Sequence, residues 1–319
     1  MMGQNFMIQY ILKRLGSGIV LALVITLLVF LLLSTSFEDV ARTILGQSAT
    51  PETVQGLLEQ RGWDRPILVQ YLDWLWHAVQ GDFGISAYTS LPVGPSVLQR
   101  LAVTLSIIVP ALLITSAISV LLGVWAASRG GAADRLSQII SLVGFIFPGL
   151  LLAIGLVVIF GVNLKWLPAT GYTPFGESPV DWLRSIVIPV IVLTIGGVAN
   201  MSAQVRGRMI DELNHDYVRT LRTRGISNGS IVLKHALRNA GSPALTVMSL
   251  EFIQMFGAAL IIENVFALPG YGSYTFNASL QGDIPVILGV SAFGVMLVTV
   301  INLVTDIANG WLNPKARIQ

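Results

Sequence analysis

Side chains able to do chemistry at membrane depth are scarce in this 319-residue chain. The most exceptional is Glu251, a charge set well inside a long apolar run. A carboxylate there is costly against hydrocarbon, so it must face other helices or a polar path. Two chemistries fit it: lining or gating a route for a polar solute, or a hydrogen bond between helices, with Glu251 protonated. Asn200, Gln204, Gln254 and Asn302 are amides of the kind that join membrane helices. Asn200 and Gln254 are also candidates for the same route. Glu263, at the outer end of the run that holds Glu251, either belongs to that route or orders the Pro269-Gly270 turn. Catalysis has little to draw on. There is no cysteine, so thiolate nucleophiles and Cys-ligated metals are excluded, and His77, His215 and His235 all lie outside the apolar runs. An intramembrane enzyme needs a nucleophile with a base, or a metal cluster, at that depth. No catalytic residue, metal or cofactor is therefore expected on this chain.

A second concentration of polar residues runs from Asp216 to Ala240. Asp211, Glu212 and Asp216 come first and Arg219, Arg222 and Arg224 last. That order complements a helix dipole, acids at the positive end and cations at the other, and Asp216 and Arg219 are spaced to pair. Gly225 stands where a left-handed C-terminal cap belongs, and Ser227 can cap a following helix. In that second helix Leu233, Leu237 and Ala240 share one face, Lys234 and Arg238 another. The stretch reads as helix, glycine corner, helix. Its apolar ridge, Tyr217, Val218 and Leu221, is suited to docking on a cytoplasmic protein.

The elements that must hold these residues are membrane spans. Hydrophobic residues make up 54% of the chain and charged residues 11%, where a soluble domain carries about 25% charge. Mean hydropathy is +0.74. Six runs are long enough to cross a bilayer: about 10–33, 101–128, 136–160, 183–204, 243–266 and 284–308. The first is too long for the apolar part of a signal peptide and reads as a retained span. Cations crowd one side: Lys13, Arg14, Arg129, Arg135, the arginines of 206–238, Lys315 and Arg317. The positive-inside bias therefore puts both termini and the 206–241 loop in the cytoplasm. A net charge of +2 gives no reason to expect nucleic acid as a partner.

Residues 34–100 form a large outer segment. Thr50-Pro51-Glu52 is a helix start, and a second helix begins near Pro66 and ends at Gly81. Its Tyr71, Trp74 and Trp76 suit the lipid headgroup zone. The segment is either a packed cap or a receiver for substrate or a docking protein. The whole chain reads as one all-α polytopic membrane domain, 1–319.

Asp216-Tyr217-Val218-Arg219-Thr220-x-Arg222-x-x-Gly225, with His235-Ala236-Leu237-Arg238-Asn239-Ala240, resembles the cytoplasmic signature loop of ABC-importer permeases. The similarity is to the peptide/nickel permease family and its "B"-type membrane subunit, and it covers roughly residues 8–318. Arg61-Gly62-Trp63-Asp64-Arg65-Pro66, Gly81-Asp82-Phe83-Gly84-x-Ser86, Trp166-Leu167-Pro168-Ala169-x-Gly171-Tyr172, Glu263-x-Val265-Phe266-x-x-Pro269-Gly270-x-Gly272 and Asn302-Leu303-x-x-Asp306 carry it further. Leu221 replaces a usual alanine, Ser36-Phe37-Glu38-Asp39 a Pro-Gly-Asp-Pro type run, and Asn313-Pro314-Lys315 a common Asp-Pro-Arg tail.

The resemblance implies a type I ABC importer fold in a bacterial cytoplasmic membrane. It also implies a second homologous permease, two ATP-binding cassette subunits holding ATP and Mg, and an extracytoplasmic substrate-binding protein. The coupling residues would be Asp216 to Arg222, Gly225, His235 and Arg238, and the cargo dipeptides or oligopeptides. Nickel chelates or other small solutes share the architecture. No Gly-x-x-x-x-Gly-Lys-Ser/Thr phosphate loop occurs in this chain, in keeping with an ATPase on other subunits. A self-powered secondary transporter would show several intramembrane charges or paired broken helices.

Overall fold

The structure, a computed structural model, describes residues 2–312. The Asn313-Pro314-Lys315 tail and the cations Lys315 and Arg317 lie outside the described residues. The described chain is helical, with one isolated bridge between Ile85 and Pro92 in place of any strand. The helices are α1 (Met2–Ser34), α2 (Phe37–Leu45), α3 (Pro51–Arg61), α4 (Ile67–Val79), α5 (Val93–Arg129), α6 (Gly131–Ile146) and α7 (Gly149–Leu156). After them come α8 (Pro179–Leu213), α9 (Asp216–Thr223), α10 (Asn228–Ser230), α11 (Leu237–Val265), α12 (Tyr271–Gln281) and α13 (Ile284–Leu312). Five of these contain stretches long and apolar enough to cross a membrane, and α6 with the α7 segment makes a sixth if that bent pair is one span.

The expected third span is not a straight helix. It bends by 86° between Ile146 and Gly149. Pro148 has no N–H to continue the ladder, and its ring drives the preceding residue out of the helical region. Phe147 accordingly sits at φ −80°, ψ 114°. Pro110 and Pro189 lie inside α5 and α8, which continue past them. Beyond Leu156, residues Val157–Asn163 wind as a π-helix.

By contacts the chain divides into two compact units, Met1–Val103 with Gly270–Leu303, and Thr104–Pro269 with Val304–Gln319. In the first, the outer segment is more ordered than two helices. An additional helix, α2, buries Phe37, Val40 and Ala41. Phe37 and Val40 join Phe30, Tyr71, Ile284 and Leu288 in one core cluster, so the cap packs on α1 and α13. The Thr50 start forms as read. Thr50 Oγ1 accepts from the Thr53 N–H (3.3 Å), and Thr53 Oγ1 accepts from the Thr50 N–H (2.9 Å), with Pro51 in the first turn. Tyr71, by contrast, is no headgroup-zone ring. It is buried, and its hydroxyl meets Thr26 Oγ1 and the Leu23 carbonyl, each at 3.0 Å. The 81–92 loop is held by buried Asp283, which accepts from Ser86 Oγ (2.5 Å) and the Ala87 N–H (3.2 Å).

In the second unit α8 packs along α6 and α11. A buried cluster of Met201, Val205, Met209, Ala236, Ala240 and Val247 holds the C-terminal part of α8 against the start of α11 and the turn before it. Outward positions are apolar as well; Leu121 and Phe145 are about 70% and 71% exposed. Such exposure is natural where the surrounding solvent is hydrocarbon.

Candidate functional site

The polar loop between α8 and α11 contains the helix and glycine corner expected of it. Asp216–Thr223 is helical, and the Ile226 N–H bonds the Leu221 carbonyl (3.2 Å) while the Gly225 N–H bonds that of Arg222 (3.0 Å). Those two bonds make a Schellman cap, which requires a left-handed residue at the glycine. Gly225 has φ +78°. Leu221 and Ile226 occupy the two positions of this cap that commonly carry apolar residues, which gives the leucine a local purpose where an alanine is usual.

The second helix departs from the expected pattern. It runs from α10 through a π-helical stretch, Ile231–Ala236, directly into α11. A π turn carries an extra residue, which rotates the following faces. Ile231, Ala236 and Ala240 are therefore the buried positions, and Leu233, placed on the apolar face by 3.6-residue spacing, is 62% exposed. Ser227 stands at the N-cap position, but its side chain makes no capping bond. Asp216 and Arg219 are both exposed, and the ion pair expected from their spacing is not among those of the described residues.

The ridge is also rearranged. Val218 is fully buried within the chain. Tyr217 turns inward: its hydroxyl donates to Glu212 Oε1 (2.7 Å), and Asn239 Nδ2 donates to the same oxygen (3.0 Å) and lies 3.3 Å from the hydroxyl. Glu212 is on α8, Tyr217 on α9 and Asn239 on α11, so three side chains lock the loop to both spans that flank it. Burial, and then the bond to Glu212, hold the Tyr217 phenol above its ordinary 10.0. It stays a donor. The open face of α9 carries Asp216, Arg219, Thr220, Arg222 and Thr223, with Leu221 half-buried. Arg238 is exposed and His235 half-buried, both on the helix that follows. Beside the loop lies a cavity of about 690 Å³ lined by Trp125, Arg129, Asn214, Arg222, Asn228 and Leu233.

Three of the four intramembrane candidates come together. Asn200 Nδ2 donates to Glu251 Oε2 (2.7 Å) and to Gln254 Oε1 (3.0 Å), and Gln204 Nε2 donates to Asn200 Oδ1 (3.3 Å). Glu251 is buried at one end of this strip, and Gln204 and Gln254 are exposed. A glycine makes the approach possible. A Cβ at Gly197 would fall 3.0 Å from Glu251 Oε1, 2.7 Å from Met255 Cε and 2.9 Å from Thr115 Cγ2. Glu263 lies apart from the strip, fully buried, and accepts from Thr104 Oγ1 of α5 (2.5 Å).

One pair escaped the sequence reading. Asp134, at the start of α6, accepts from two guanidinium nitrogens of Arg206 in the C-terminal part of α8, Nη2 to Oδ2 at 2.8 Å and Nε to Oδ1. Seventy-two positions separate the two residues, so no local spacing signals the contact. Above it a groove of about 780 Å³ between α6 and α8 is lined by Gln138, Ser141, Phe145, Asn200, Gln204 and Arg206.

Comparison with known proteins bears on this arrangement directly. Residues 7–119 match the N-terminal component, and residues 119–318 the main component, of binding-protein-dependent transport system membrane proteins. A Brucella abortus protein named as a peptide transport system permease is 36% identical over 312 residues, 98% of this chain and 99% of the relative. A peptide ABC transporter permease protein of Sinorhizobium fredii is 34% identical over 309 residues, covering 97% and 99%. The glutathione transport system permease protein of Shigella flexneri is 33% identical over 315 residues, covering 98% and 99%. An all-helical chain with five or six apolar spans, matched end to end, belongs to the binding-protein-dependent transport system inner membrane components: it is a multi-pass permease subunit of an ABC importer and works with other transporter subunits.

Proposed function

We propose that this chain forms half of the path of an ATP-driven peptide importer, beside a second homologous permease, two ATP-binding cassette subunits and an extracytoplasmic binding protein. Both termini and the 206–241 loop face the cytoplasm, by the excess of Lys and Arg on that side. The observation that carries the coupling role is the lock of Glu212, Tyr217 and Asn239, which fastens the open face of α9 to α8 and α11 at once. ATPase closure shifts the inward/outward equilibrium only through an element that fits the two states differently. A short helix fastened through Tyr217 to α8 and α11 transmits that displacement to both spans. The ATPases bind Mg-ATP and hydrolyse the ATP; this chain supplies the lever.

Short peptides are the cargo this reading favours, because the relatives in Brucella and Sinorhizobium are named for peptide transport and that in Shigella for glutathione, itself a tripeptide. Glu251, Asn200, Gln204 and Gln254 fit such a solute. Their strip offers amide donors and acceptors beside one carboxyl group, and peptide bonds and an ammonium terminus need those partners. Reconstitution in liposomes tests the assignment. Uptake of di- and tripeptides is expected only when this chain, its homologue, the ATPases, the binding protein and ATP are all present. Peptide movement by this chain alone would overturn it.

A further inference from the structure

Among the three helices of the outer segment, α4 is built differently from its neighbours. No large apolar side chain of α2 or α3 is exposed, and their open positions carry Glu38, Arg42, Glu52, Gln55 and Glu59. On α4 the exposed positions include Leu68, Val69, Leu72, Trp76 and Val79. Leu68, Leu72, Trp76 and Val79 recur at helical spacing and form one stripe. Its opposite side is buried at Gln70 and Tyr71.

Polar groups on and beside α4 are paired with one another, and Arg65 and Asp73 border the stripe. Gln70 Nε2 donates to the carbonyls of Trp63 (3.1 Å) and Arg65 (2.6 Å). Arg65 pairs with Asp73 at 3.0 Å, and His77 Nδ1 meets the Asp73 carbonyl at 2.8 Å. An apolar stripe with a charged edge is the pattern of a helix lying in the membrane interface, one face in hydrocarbon and its border at the headgroups.

The depth of α4 follows from its contacts with α1. Tyr71 reaches the Leu23 carbonyl and Thr26 Oγ1, both inside the Ile11–Ser34 span, and its ring lies 5.7 Å from that of Phe30. By helical rise, Phe30 and Thr26 lie about 6 and 12 Å below Ser34, where the apolar run ends. A helix in contact at those levels is beneath the outer headgroups. Water and an extracytoplasmic protein are poor occupants for its open face at that depth. The open side of α1 beside it is equally apolar, with Leu21, Leu28, Leu31 and Leu32 exposed.

We propose that α4 is an in-plane membrane helix of the outer leaflet, its Leu68/Leu72/Trp76/Val79 stripe covered by lipid acyl chains. The outer segment is then anchored in the bilayer along its last helix, while α2 and α3 meet water. The inference rests on the chain being a membrane protein and does not depend on its cargo.

A chain without cysteine allows a direct test. Single variants Leu68→Cys, Leu72→Cys, Trp76→Cys and Val79→Cys, with Gln55→Cys on α3 as reference, would be spin-labelled in the full-length chain and reconstituted with its co-purified subunits into phosphatidylethanolamine/phosphatidylglycerol liposomes. Collisions with oxygen, which enters lipid, are compared with those of a water-soluble nickel chelate. The α4 labels should favour oxygen and lie about 5–10 Å below the phosphate level, with Gln55→Cys favouring the chelate. Chelate access on α4 equal to that at Gln55→Cys would overturn the proposal. So would protection from both reagents, which would mean that a protein covers the stripe. Four separate surface positions keep the result readable if one variant folds poorly.

Discussion

At the scale of single residues, Glu251, proposed to line a path, contrasts with Tyr217, which fastens α9 to α8 and α11. Glu251 keeps one short bond to Asn200 and faces Gly197 across a gap too narrow for a methyl group. Glu251→Gln preserves shape and still offers Asn200 an oxygen, so expression and fold should survive. If the strip meets cargo, peptide uptake in reconstituted transporter should fall about tenfold in kcat/KM, roughly 1.4 kcal/mol; unchanged uptake and unchanged peptide preference would assign Glu251 to helix packing alone. Tyr217→Phe removes the hydroxyl shared by Glu212 and Asn239. The cost is about 1 kcal/mol, as expected of a half-buried hydrogen bond, and the sharper readout is coupling: ATP consumed per peptide moved should rise. Titration of the same phenol sets a pH window. Its folded pKa is raised, so the stability it contributes is complete below the ordinary value of 10.0 and lost as pH climbs through the higher folded value. The wild-type lock should hold at every pH below 10, and thermal unfolding of the Tyr217→Phe variant should show a smaller alkaline decline than that of the wild type.

At the scale of elements, the corner at Gly225 is where backbone chemistry decides. No heavy atom lies within 4 Å of a Cβ built there, so only the positive φ resists substitution. A non-glycine residue in that region costs on the order of 1–3 kcal/mol, and asparagine tolerates it best. Gly225→Asn should keep uptake close to wild type. Gly225→Pro cannot adopt φ +78° and also deletes the N–H bonded to Arg222. Its transporter should hydrolyse ATP with little peptide movement, and normal uptake at normal expression would remove the lever from the mechanism. This corner was legible in the sequence because its signals are local: a charge gradient, a glycine, two apolar cap positions. The face of the helix after it was not. The π stretch at Ile231–Ala236 breaks 3.6-residue counting, so Leu233 was assigned inward and lies outward.

At the scale of the whole molecule, hydropathy located the spans, and length alone separated the outer segment from them. What it could not locate were contacts between distant residues. Arg206 with Asp134 and Asp283 with Ser86 each join segments far apart in sequence, and no periodicity encodes such meetings. Tyr71 shows the same limit. Composition marked it as an interfacial ring, whereas tertiary packing drew its hydroxyl to a carbonyl in mid-span. Glu263 was read either as part of the path or as ordering the Pro269-Gly270 turn, and no periodicity announced that Thr104 of α5 would donate to it.

The break at Phe147–Pro148 has a consequence for hydration. Where α6 stops, Val143 is the last carbonyl to accept a following N–H, that of Phe147 (3.3 Å), and α7 makes its first bond only from the Leu151 N–H to the Pro148 carbonyl (2.9 Å), so a few backbone groups between them lose their ladder partners. Hydrocarbon offers such groups nothing, and each costs several kcal/mol if left alone there. At membrane depth those few groups call for a water molecule or a protein neighbour, even though the side chains around them, Phe145, Phe147 and Leu151, are apolar and exposed.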